Sequence, residues 1–345
     1  MISEEDKINV KLVTRSGKGL RFLWAKQCPD GLPEWGRCRF YSNPAFREYD
    51  WYVAIDDIPR VQPRKREILN CPQSNTILIT SEPSSVTYYG RAFASQFAHL
   101  ITSQEEWALP HSNAKRIQTG NVWFYEKSYD EIVQLPLPAK TALLSTVCSS
   151  KQQAHTMHAL RYHFTQKLKT EISDMDIFGH GVRFVEKKSE ALDPYQFHLV
   201  VENHIAPHHW TEKLADAFLA CSVPIYCGCP NVLDYFPKDS LIRIDIQDFH
   251  GSLAIIRETL SRKGEYERRL QAVLEARRRV MYEYNLPAML NSYISASKLL
   301  GGNTGDIIYS RRIMRMRDPR DLMGFALWRT GNFLKKFSVS AGDTQ

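Results

Sequence analysis

Two short polar stretches in the second half of the chain carry residue types that bind nucleotides. Thr211, Glu212 and Lys213 open an apolar helical stretch, and Glu202 and Asn203 close an apolar strand a few residues earlier. A threonine at a helix start can accept a hydrogen bond from a free amide of the first turn. A carboxylate suits the two hydroxyls of a ribose, and an ammonium group suits a diphosphate. The pattern favours a nucleotide site, although Thr-Glu-Lys is also common at helix starts on solvated surfaces.

Glu212 and Lys213 are adjacent on the predicted helix, where consecutive side chains project about 100° apart. We therefore expect them to contact different parts of one ligand rather than to form an ion pair with each other. The domain contains neither GxGxxG nor a GxxxxGK loop, so no glycine-rich loop surrounds a phosphate. Positive charge must come from side chains, and Arg183 is the second cation that the sequence offers.

The elements around these residues alternate between strand and helix. Strands are predicted at 142–148, 175–181, 197–202, 223–227 and 241–244, and helices at 154–169, 211–221, 249–262 and 265–284. This alternation is typical of a parallel sheet covered by helices, the α/β class. Ligands of such sheets bind beyond the carboxyl ends of the strands. The residues that should share this edge are Glu202–Asn203, Thr211–Lys213, Gly228–Pro230 and Gly179–Arg183.

The N-terminal part of the chain has a more mixed pattern. It predicts strands at 50–59, 76–83 and 121–125 and a helix over 90–102. Two prolines within 129–140 indicate a linker between domains. The resulting division is an N-terminal domain at 1–137, a C-terminal domain at 138–300 and a basic amphipathic segment at 301–345.

Length, composition and charge limit the class of protein. A chain of 345 residues favours two domains, and a net charge of +7 fits an anionic partner such as a nucleotide, a phosphorylated sugar or a membrane surface. Seven scattered cysteines argue against a disulfide framework. The sequence shows neither a signal-peptide pattern nor an apolar run of roughly 20 residues. We therefore expect a cytoplasmic protein.

The stretch 195–237 resembles the donor-binding motif of the α-1,3-fucosyltransferases, glycosyltransferase family ten. The matching pieces are Tyr195-Gln196-Phe197, Glu202-Asn203, Thr211-Glu212-Lys213, Val223-Pro224-Ile225 and Gly228-Cys229-Pro230. The resemblance implies a fold of the GT-B type, with two Rossmann-like domains facing a central cleft. The N-terminal domain at 1–137 would then bind the acceptor, and the C-terminal domain at 138–300 would bind the donor. The resemblance also implies an inverting transfer that requires no metal or other cofactor, with GDP-fucose as the donor substrate.

The resemblance also implies roles for individual residues. The donor would be bound by Arg183, Asn203, His209, Thr211, Glu212 and Lys213. Glu212 would hold the ribose, whereas Lys213 and Arg183 would hold the diphosphate and support the leaving group in catalysis. The family usually has tyrosine where His209 stands, which leaves the identity of the nucleotide or of the sugar open.

A transfer to a hydroxyl group needs a base that takes the proton of that hydroxyl. The family places a catalytic glutamate after a strand of the N-terminal domain, and Glu82 in ILITSEPSS is the best match. Alternatively, Glu82 only ends a strand before Pro83. The base would then be one of the other carboxylates of this domain: Asp56, Asp57, Glu105 or Glu106.

Two further patterns resemble metal sites, but we expect no metal at either. One is the DxD pair of Asp174 and Asp176, and the other is the group of His198, His204, His208 and His209.

The basic segment 310–337, which contains Trp328, fits two alternatives. It is either a helix packed on the N-terminal domain or an interfacial helix attracted to anionic lipid. Nucleic-acid binding by this segment is a weaker alternative, and we expect none.

The sequence thus predicts a glycosyltransferase that moves fucose or a related sugar from a GDP-sugar to a hydroxyl of a glycan. The acceptor would be a bacterial lipopolysaccharide, O-antigen or other surface glycan, with the enzyme peripheral to the inner membrane. One alternative is a GT-B transferase that uses a different nucleotide sugar. The other is a non-catalytic protein that binds glycans or nucleotides.

Overall fold

The protein is described by a computed structural model that covers residues 6–16, 21–59, 66–120, 122–149, 157–297 and 301–340. The chain divides into two compact units. Unit 1 consists of Met1–Gly120, Ser128–Asp130 and Leu286–Leu334, and unit 2 consists of Asn121–Lys127, Glu131–Asn285 and Lys335–Gln345. The domain ranges that the sequence suggests remain predictions, and the unit boundaries differ from them because Leu286–Leu334 falls in unit 1.

The β-strands are short and are numbered in chain order. They are β1 (Ile8–Thr14), β2 (Glu34–Trp35), β3 (Cys38–Tyr41), β4 (Trp51–Ile55), β5 (Arg66–Ile68), β6 (Thr76–Thr80), β7 (His99–Thr102), β8 (Ala114–Arg116), β9 (Ala142–Val147), β10 (Met175–Phe178), β11 (Tyr195–Val201), β12 (Val223–Cys227), β13 (Ile242–Arg243) and β14 (Ile307–Tyr309).

The α-helices lie between and after these strands. They are α1 (Arg21–Gln27), α2 (Arg91–Ala94), α3 (Tyr129–Gln134), α4 (His158–Glu171), α5 (Glu212–Leu219), α6 (Phe249–Ser261), α7 (Glu265–Tyr282), α8 (Leu286–Ala296), α9 (Arg311–Arg317) and α10 (Pro319–Ser340). Within the described residues, no helix is both long enough and apolar enough to cross a membrane.

Unit 1 contains one seven-stranded sheet with the order β2-β3-β1-β4-β6-β7-β8. Neighbouring strands are parallel except for β2 and β3. The central strands β4 and β6 are buried almost along their whole length, as expected for parallel strands covered on both faces. The predicted strands at 50–59 and 76–83 are confirmed.

Two predictions about the N-terminal part are wrong. Residues 90–102 form no continuous helix, because the short helix α2 is followed by β7, which pairs with β6. Residues 122–125 form no strand, since the amide of Phe124 donates to Asp216 Oδ1 at 3.0 Å instead of joining a sheet. The predicted linker at 129–140 contains the helix α3, and the chain passes from unit 1 to unit 2 within it, between Asp130 and Glu131.

Unit 2 contains a five-stranded sheet with the order β10-β9-β11-β12-β13, and all of its strands are parallel. The two units therefore both have the predicted α/β architecture, with parallel sheets and intervening helices. Because the strands of unit 2 are parallel, the carboxyl ends of β10, β11 and β12 lie along one edge of its sheet. The segments that follow these three strands carry the predicted site residues.

The C-terminal helix α10 packs on unit 1 through specific polar and aromatic contacts. The Asp321 carboxylate is buried and accepts hydrogen bonds from the amides of Arg91, at 3.0 Å, and Ala92, at 2.8 Å, at the start of α2. Trp328 Nε1 donates to the carbonyl of Ser84 at 2.7 Å. A Cβ on Gly90 would lie 2.5 Å from Asp321 Oδ2, so the close approach requires glycine there. The C-terminal segment thus completes the first unit.

The contact between Asp321 and α2 can be tested by substitution. Asp321→Ala would leave two amides without their acceptor, so we expect a loss of about 1–3 kcal/mol in the free energy of unfolding. Chemical denaturation followed by circular dichroism measures this loss. Arg320→Ala, at the neighbouring exposed position, is the matched control and should change the stability by less than about 0.5 kcal/mol. Equal effects of the two substitutions would contradict the assigned role of Asp321.

Candidate functional site

The buried carboxylate of Glu202 lies at the centre of the candidate site. Glu202 directly follows β11, and its side chain is fully buried. Its Oε1 accepts a hydrogen bond from the Thr211 amide at 2.8 Å, and its Oε2 accepts one from the Thr211 hydroxyl at 2.8 Å. Burial raises the pKa of Glu202 above its usual value, against the opposing effect of the Lys213 charge. The carboxylate thus connects the end of β11 to the start of α5.

Thr211 caps the N-terminus of α5, as predicted, since its hydroxyl accepts from the Lys213 amide at 3.4 Å. The prediction that Glu212 and Lys213 do not pair is wrong. Lys213 Nζ lies 3.1 Å from Glu212 Oε1, 3.5 Å from Glu202 Oε2 and 3.0 Å from Thr211 Oγ1. Side chains on a helix lean toward its N-terminus, so the long lysine side chain can reach both carboxylates.

The pKa values in this cluster reflect mutual stabilisation of charge. Burial alone would raise the pKa of Glu212, but the positive charges of Lys213 and Lys188 hold it below its usual value. Burial alone would likewise lower the pKa of Lys213, but Glu202 and Glu212 raise it above its usual value. Glu212 and Lys213 are therefore both charged at neutral pH and are half-buried, within reach of a ligand.

Gly228, which directly follows β12, packs against the same carboxylate. A Cβ at this position would lie 2.5 Å from Glu202 Cγ and would also collide with the Tyr226 hydroxyl. The amide of Cys229 donates to that hydroxyl at 2.8 Å. The Gly-Cys-Pro turn therefore needs glycine at position 228 because the backbone approaches Glu202 closely.

Asn203 and His209 lie in the loop between β11 and α5. Asn203 Oδ1 is buried and has no hydrogen-bond partner among the described residues, which suits a group that meets a ligand. The His209 ring is buried and lies edge-to-face with His204 at 5.4 Å between ring centroids. Burial, together with the charge of His204, lowers the pKa of His209 to about 3. His209 is therefore neutral at pH 7 and cannot neutralise a phosphate.

Arg183 follows β10 on the same edge of the sheet, but its side chain is exposed. Its guanidinium lies 3.6 Å from Asp176 Oδ1 and 4.8 Å from the ring centroid of Phe178. Asp176, one member of the DxD pair, also accepts a hydrogen bond from the Tyr195 hydroxyl at 2.7 Å. Its carboxylate thus contacts both Arg183 and Tyr195. Among the residues that the structure describes, no cluster of His, Cys, Asp or Glu is arranged to hold a metal ion.

Sequence reasoning missed Arg161, which lies on α4. Its side chain is buried, its Nε has no hydrogen-bond partner among the described residues, and its charge acts on Lys213. Its spacing in the sequence could have indicated burial. Arg161 lies on the buried face of α4 together with Phe164, Thr165 and Leu168. An arginine within such a stripe lies in the interior and needs an acceptor there.

The predicted base, Glu82, lies just beyond the carboxyl end of β6 in unit 1, and it is exposed. Its amide donates to the Tyr89 hydroxyl at 3.3 Å, and its carbonyl accepts from Gln104 Nε2 at 2.8 Å. Asp56 accepts hydrogen bonds from the amide and the hydroxyl of Ser81, at 2.8 and 2.5 Å, which fixes the residue before Glu82. The backbone at Glu82 is therefore held in place while its carboxylate meets solvent.

The other candidate carboxylates have different environments. Asp57 is buried and accepts from the amides of Ile58, at 3.0 Å, and Arg311, at 2.9 Å. Glu105 is half-buried, and Glu106 is exposed. Asp56 and Asp57 thus accept hydrogen bonds within unit 1, whereas Glu82 and Glu106 are exposed.

Residues 137–269 match the family model described as glycosyltransferase family 10 (fucosyltransferase), C-terminal part. This range contains the cluster of Glu202, Thr211, Glu212 and Lys213 with its hydrogen bonds. This part of the chain is similar to glycosyltransferase family 10.

Curated relatives agree with this assignment over part of the chain. The alpha-(1,3)-fucosyltransferase FucT of Helicobacter pylori is 32% identical over 83 residues, which are 24% of this chain and 17% of that protein. The 4-galactosyl-N-acetylglucosaminide 3-alpha-L-fucosyltransferase 9 of Cricetulus griseus is 31% identical over 125 residues, 34% of this chain and 33% of that protein. The matched region thus spans a third or less of these relatives.

Solved structures of an alpha1,3-fucosyltransferase are similar to the chain at low identity. One is 15% identical with a TM-score of 0.48 and covers 83% of this chain and 93% of the other. A second, solved with GDP-fucose, is 16% identical with a TM-score of 0.46 and covers 81% of this chain and 92% of the other. The similarity to family 10 therefore rests on the sequence match, and the parallel sheet of unit 2 is a direct observation on this chain.

The buried carboxylate of Glu202 should matter for the stability of the protein. Glu202→Gln removes a charge partner of Lys213 and presents an amide NH₂ to Thr211, so we expect a loss of about 3 kcal/mol in the free energy of unfolding. Glu212→Gln, at the half-buried neighbour, should cost less than about 1 kcal/mol. Urea denaturation at pH 7 compares the two variants. A larger effect at position 212 than at 202 would disprove the central role of Glu202.

The buried histidines predict a specific dependence of stability on pH. Burial lowers the pKa of His198 and of His209 to about 3, below the usual value of 6.5. The unfolded chain therefore binds more protons below pH 6.5, and stability falls as the pH falls through this range. Each histidine contributes about 1.4 kcal/mol per pH unit.

His209→Tyr replaces one of these histidines with a group that stays neutral in acid. Between pH 6 and 5, the slope of the unfolding free energy against pH should be smaller in the variant than in the wild type. The expected difference corresponds to one proton, about 1.4 kcal/mol per pH unit. Urea titrations at several pH values give this slope, whatever the variant's absolute stability. An unchanged slope would mean that His209 is already accessible to protons in the folded protein.

Proposed function

We propose that the protein is a fucosyltransferase that moves fucose from GDP-fucose to a hydroxyl group of a glycan. The observation that carries this proposal is that the Glu202–Thr211–Lys213 cluster lies inside the family 10 match at 137–269. Supporting it are the relatives named as fucosyltransferases and the parallel sheet, whose strand ends carry the predicted donor residues.

The donor is bound at the edge of the unit 2 sheet in this proposal. Glu212, which is charged and half-buried, accepts hydrogen bonds from the ribose hydroxyls. Lys213 faces the diphosphate, but it already lies near two carboxylates, so it cannot neutralise a diphosphate alone. Arg161 and Arg183 supply the additional positive charge. Thr211, Asn203 and His209 complete the donor pocket through hydrogen bonds rather than charge.

The chemical step is a direct displacement at the anomeric carbon. The acceptor oxygen forms the new bond to C1 of fucose while the bond from C1 to the diphosphate oxygen breaks, which inverts the configuration. Glu82 takes the proton of the acceptor hydroxyl. Lys213 and Arg161 stabilise the negative charge that develops on GDP as it leaves. In this proposal, side-chain cations perform the role of a metal ion, and no cofactor is required.

The proposed acceptor is a bacterial surface glycan such as lipopolysaccharide or O-antigen. In this view the enzyme works in the cytoplasm at the surface of the inner membrane, which the segment 310–337 contacts. Three apolar side chains of α10 are exposed and support such a contact: Leu322, Met323 and Leu327. Basic residues of the same segment would be attracted to anionic lipid.

A panel of nucleotide sugars tests the proposal. The purified protein should release GDP from GDP-fucose in the presence of a glycan acceptor and should do so in excess EDTA.

Lys213→Ala should weaken GDP binding by roughly tenfold to a hundredfold, since one charge-assisted contact is lost. Glu82→Gln should lower kcat by roughly 10²–10⁴-fold with little change in GDP affinity. Calorimetry and a GDP-release assay measure these quantities, and Arg320→Gln is the control.

The remaining results decide between the alternatives. Turnover of a different nucleotide sugar would show a GT-B transferase with another donor. Binding of GDP-fucose without turnover, unchanged by Glu82→Gln, would show a non-catalytic binding protein. Normal GDP affinity in Lys213→Ala would contradict the assignment of Lys213 to the diphosphate.

A further inference from the structure

Unit 1 contains a strongly basic cavity that the proposed mechanism does not use. Its volume is about 340 Å³, which is room for roughly ten water molecules. Arg15 and Asp57 reach it from the segments that follow β1 and β4, two adjacent parallel strands. The rest of the polar lining comes from the start of α9. The polar residues that line it are Arg15, Asp57, Ser310, Arg311, Arg312 and Arg315.

Several polar atoms in this lining are buried and have no partner among the described residues. They are Ser310 Oγ, Arg311 Nη1 and Arg315 Nε, and the Ser310 side chain is only 6% exposed. Buried polar groups in proteins are normally hydrogen-bonded. Guanidinium groups can only donate hydrogen bonds. The missing partner must therefore be an acceptor, and a group with several oxygens would satisfy all three atoms.

The charge of the lining also points to an anion. Four guanidinium groups share the cavity with one carboxylate, Asp57, whose Oδ1 already accepts two backbone hydrogen bonds. Arg311 and Arg15 act electrostatically on Asp57, so the one carboxylate offsets only part of the positive charge in the cavity. Arg311 and Arg315 are half-buried, and an excess of positive charge there is costly unless an anion binds.

Two of the arginines are held in place before any ligand binds. The Arg311 guanidinium lies 5.0 Å from the ring centroid of Tyr89. The Arg315 guanidinium lies 3.6 Å from the ring centroid of Phe325, and its Nη2 donates to the carbonyl of Tyr88 at 3.2 Å. Stacked and hydrogen-bonded guanidinium groups lose little further freedom on binding, and their planar fork matches phosphate oxygens.

We propose that this cavity binds a phosphate or diphosphate group carried by the acceptor. The identification of the carrier as the acceptor rests on the proposed function, whereas binding of the phosphate group does not. The cavity belongs to unit 1, and the proposed donor residues belong to unit 2. The acceptor class is therefore a glycan that carries phosphate, either on a sugar or in its link to a lipid.

Titration calorimetry with inorganic pyrophosphate tests the site without any turnover. Arg312→Gln is the main variant, because this side chain is exposed and its removal should not affect folding. It should weaken pyrophosphate binding roughly tenfold or more. Lys213→Ala should leave a binding event of wild-type affinity, and Arg320→Gln should bind as the wild type does. Arg311→Gln provides a second test from inside the cavity.

The outcomes separate this inference from the proposed function. Wild-type pyrophosphate affinity in both Arg312→Gln and Arg311→Gln, or complete loss in Lys213→Ala, would overturn the cavity as a phosphate site, even if GDP-fucose is a substrate. Binding that depends on Arg312 in a protein that does not use GDP-fucose would keep the phosphate site and reject the fucosyltransferase.

Acceptor assays then identify the carrier of the phosphate. With GDP-fucose at saturation, Arg312→Gln should raise KM roughly tenfold for a phosphorylated or diphosphate-linked glycan and leave KM for a neutral glycan unchanged. Equal effects on both glycans would reject the acceptor as the carrier. In a second experiment, binding of the protein to vesicles of anionic phospholipid is measured. If Arg312→Gln reduced vesicle binding but not the affinity for pyrophosphate, the basic residues would serve a lipid surface instead, and the proposal would fail.

Discussion

The candidate donor site depends on one buried carboxylate. Glu202 accepts both the amide and the hydroxyl hydrogen bonds of Thr211, and it lies 3.5 Å from the ammonium group of Lys213. It also sets the space available to Gly228, whose backbone approaches Glu202 Cγ. A fully buried carboxylate is tolerated only when its oxygens are satisfied, so the end of β11, the first turn of α5 and the turn after β12 are fixed together.

This arrangement has a consequence for the charge of the site. Lys213 lies between two carboxylates, so its positive charge is largely balanced before a ligand arrives. A diphosphate would therefore depend on cations outside the Thr-Glu-Lys sequence. Arg161 suits this role. Its side chain is buried, and its Nε has no partner among the described residues. The carboxylates can then be understood as positioning the lysine and the cap, while the arginines supply the net positive charge.

Much of unit 2 could be predicted from the sequence, because parallel strands buried on both faces are short apolar runs between helices. The strands β9 to β12, the helix α5 and its cap at Thr211 follow from local patterns alone. The pairing of Glu212 with Lys213 could not be predicted, since it depends on a third group, Glu202, that draws the lysine toward the helix start. The burial of Asp216 in α5 also depends on a distant group, because Lys188 Nζ lies 2.5 Å from its carboxylate.

Unit 1 was harder to predict because its contacts join distant parts of the chain. β14 pairs with β5 in an antiparallel ladder, and Asp321 caps α2 from more than 200 residues away. Such partners leave no local periodicity: the amides at Arg91 and Ala92 look uncapped until α10 is in place. The family 10 match at 137–269 lies within the contiguous part of unit 2, whereas unit 1 is assembled from both ends of the chain. Glu82 and the basic cavity both lie in unit 1, so any choice of acceptor made there rests on residues outside the matched region.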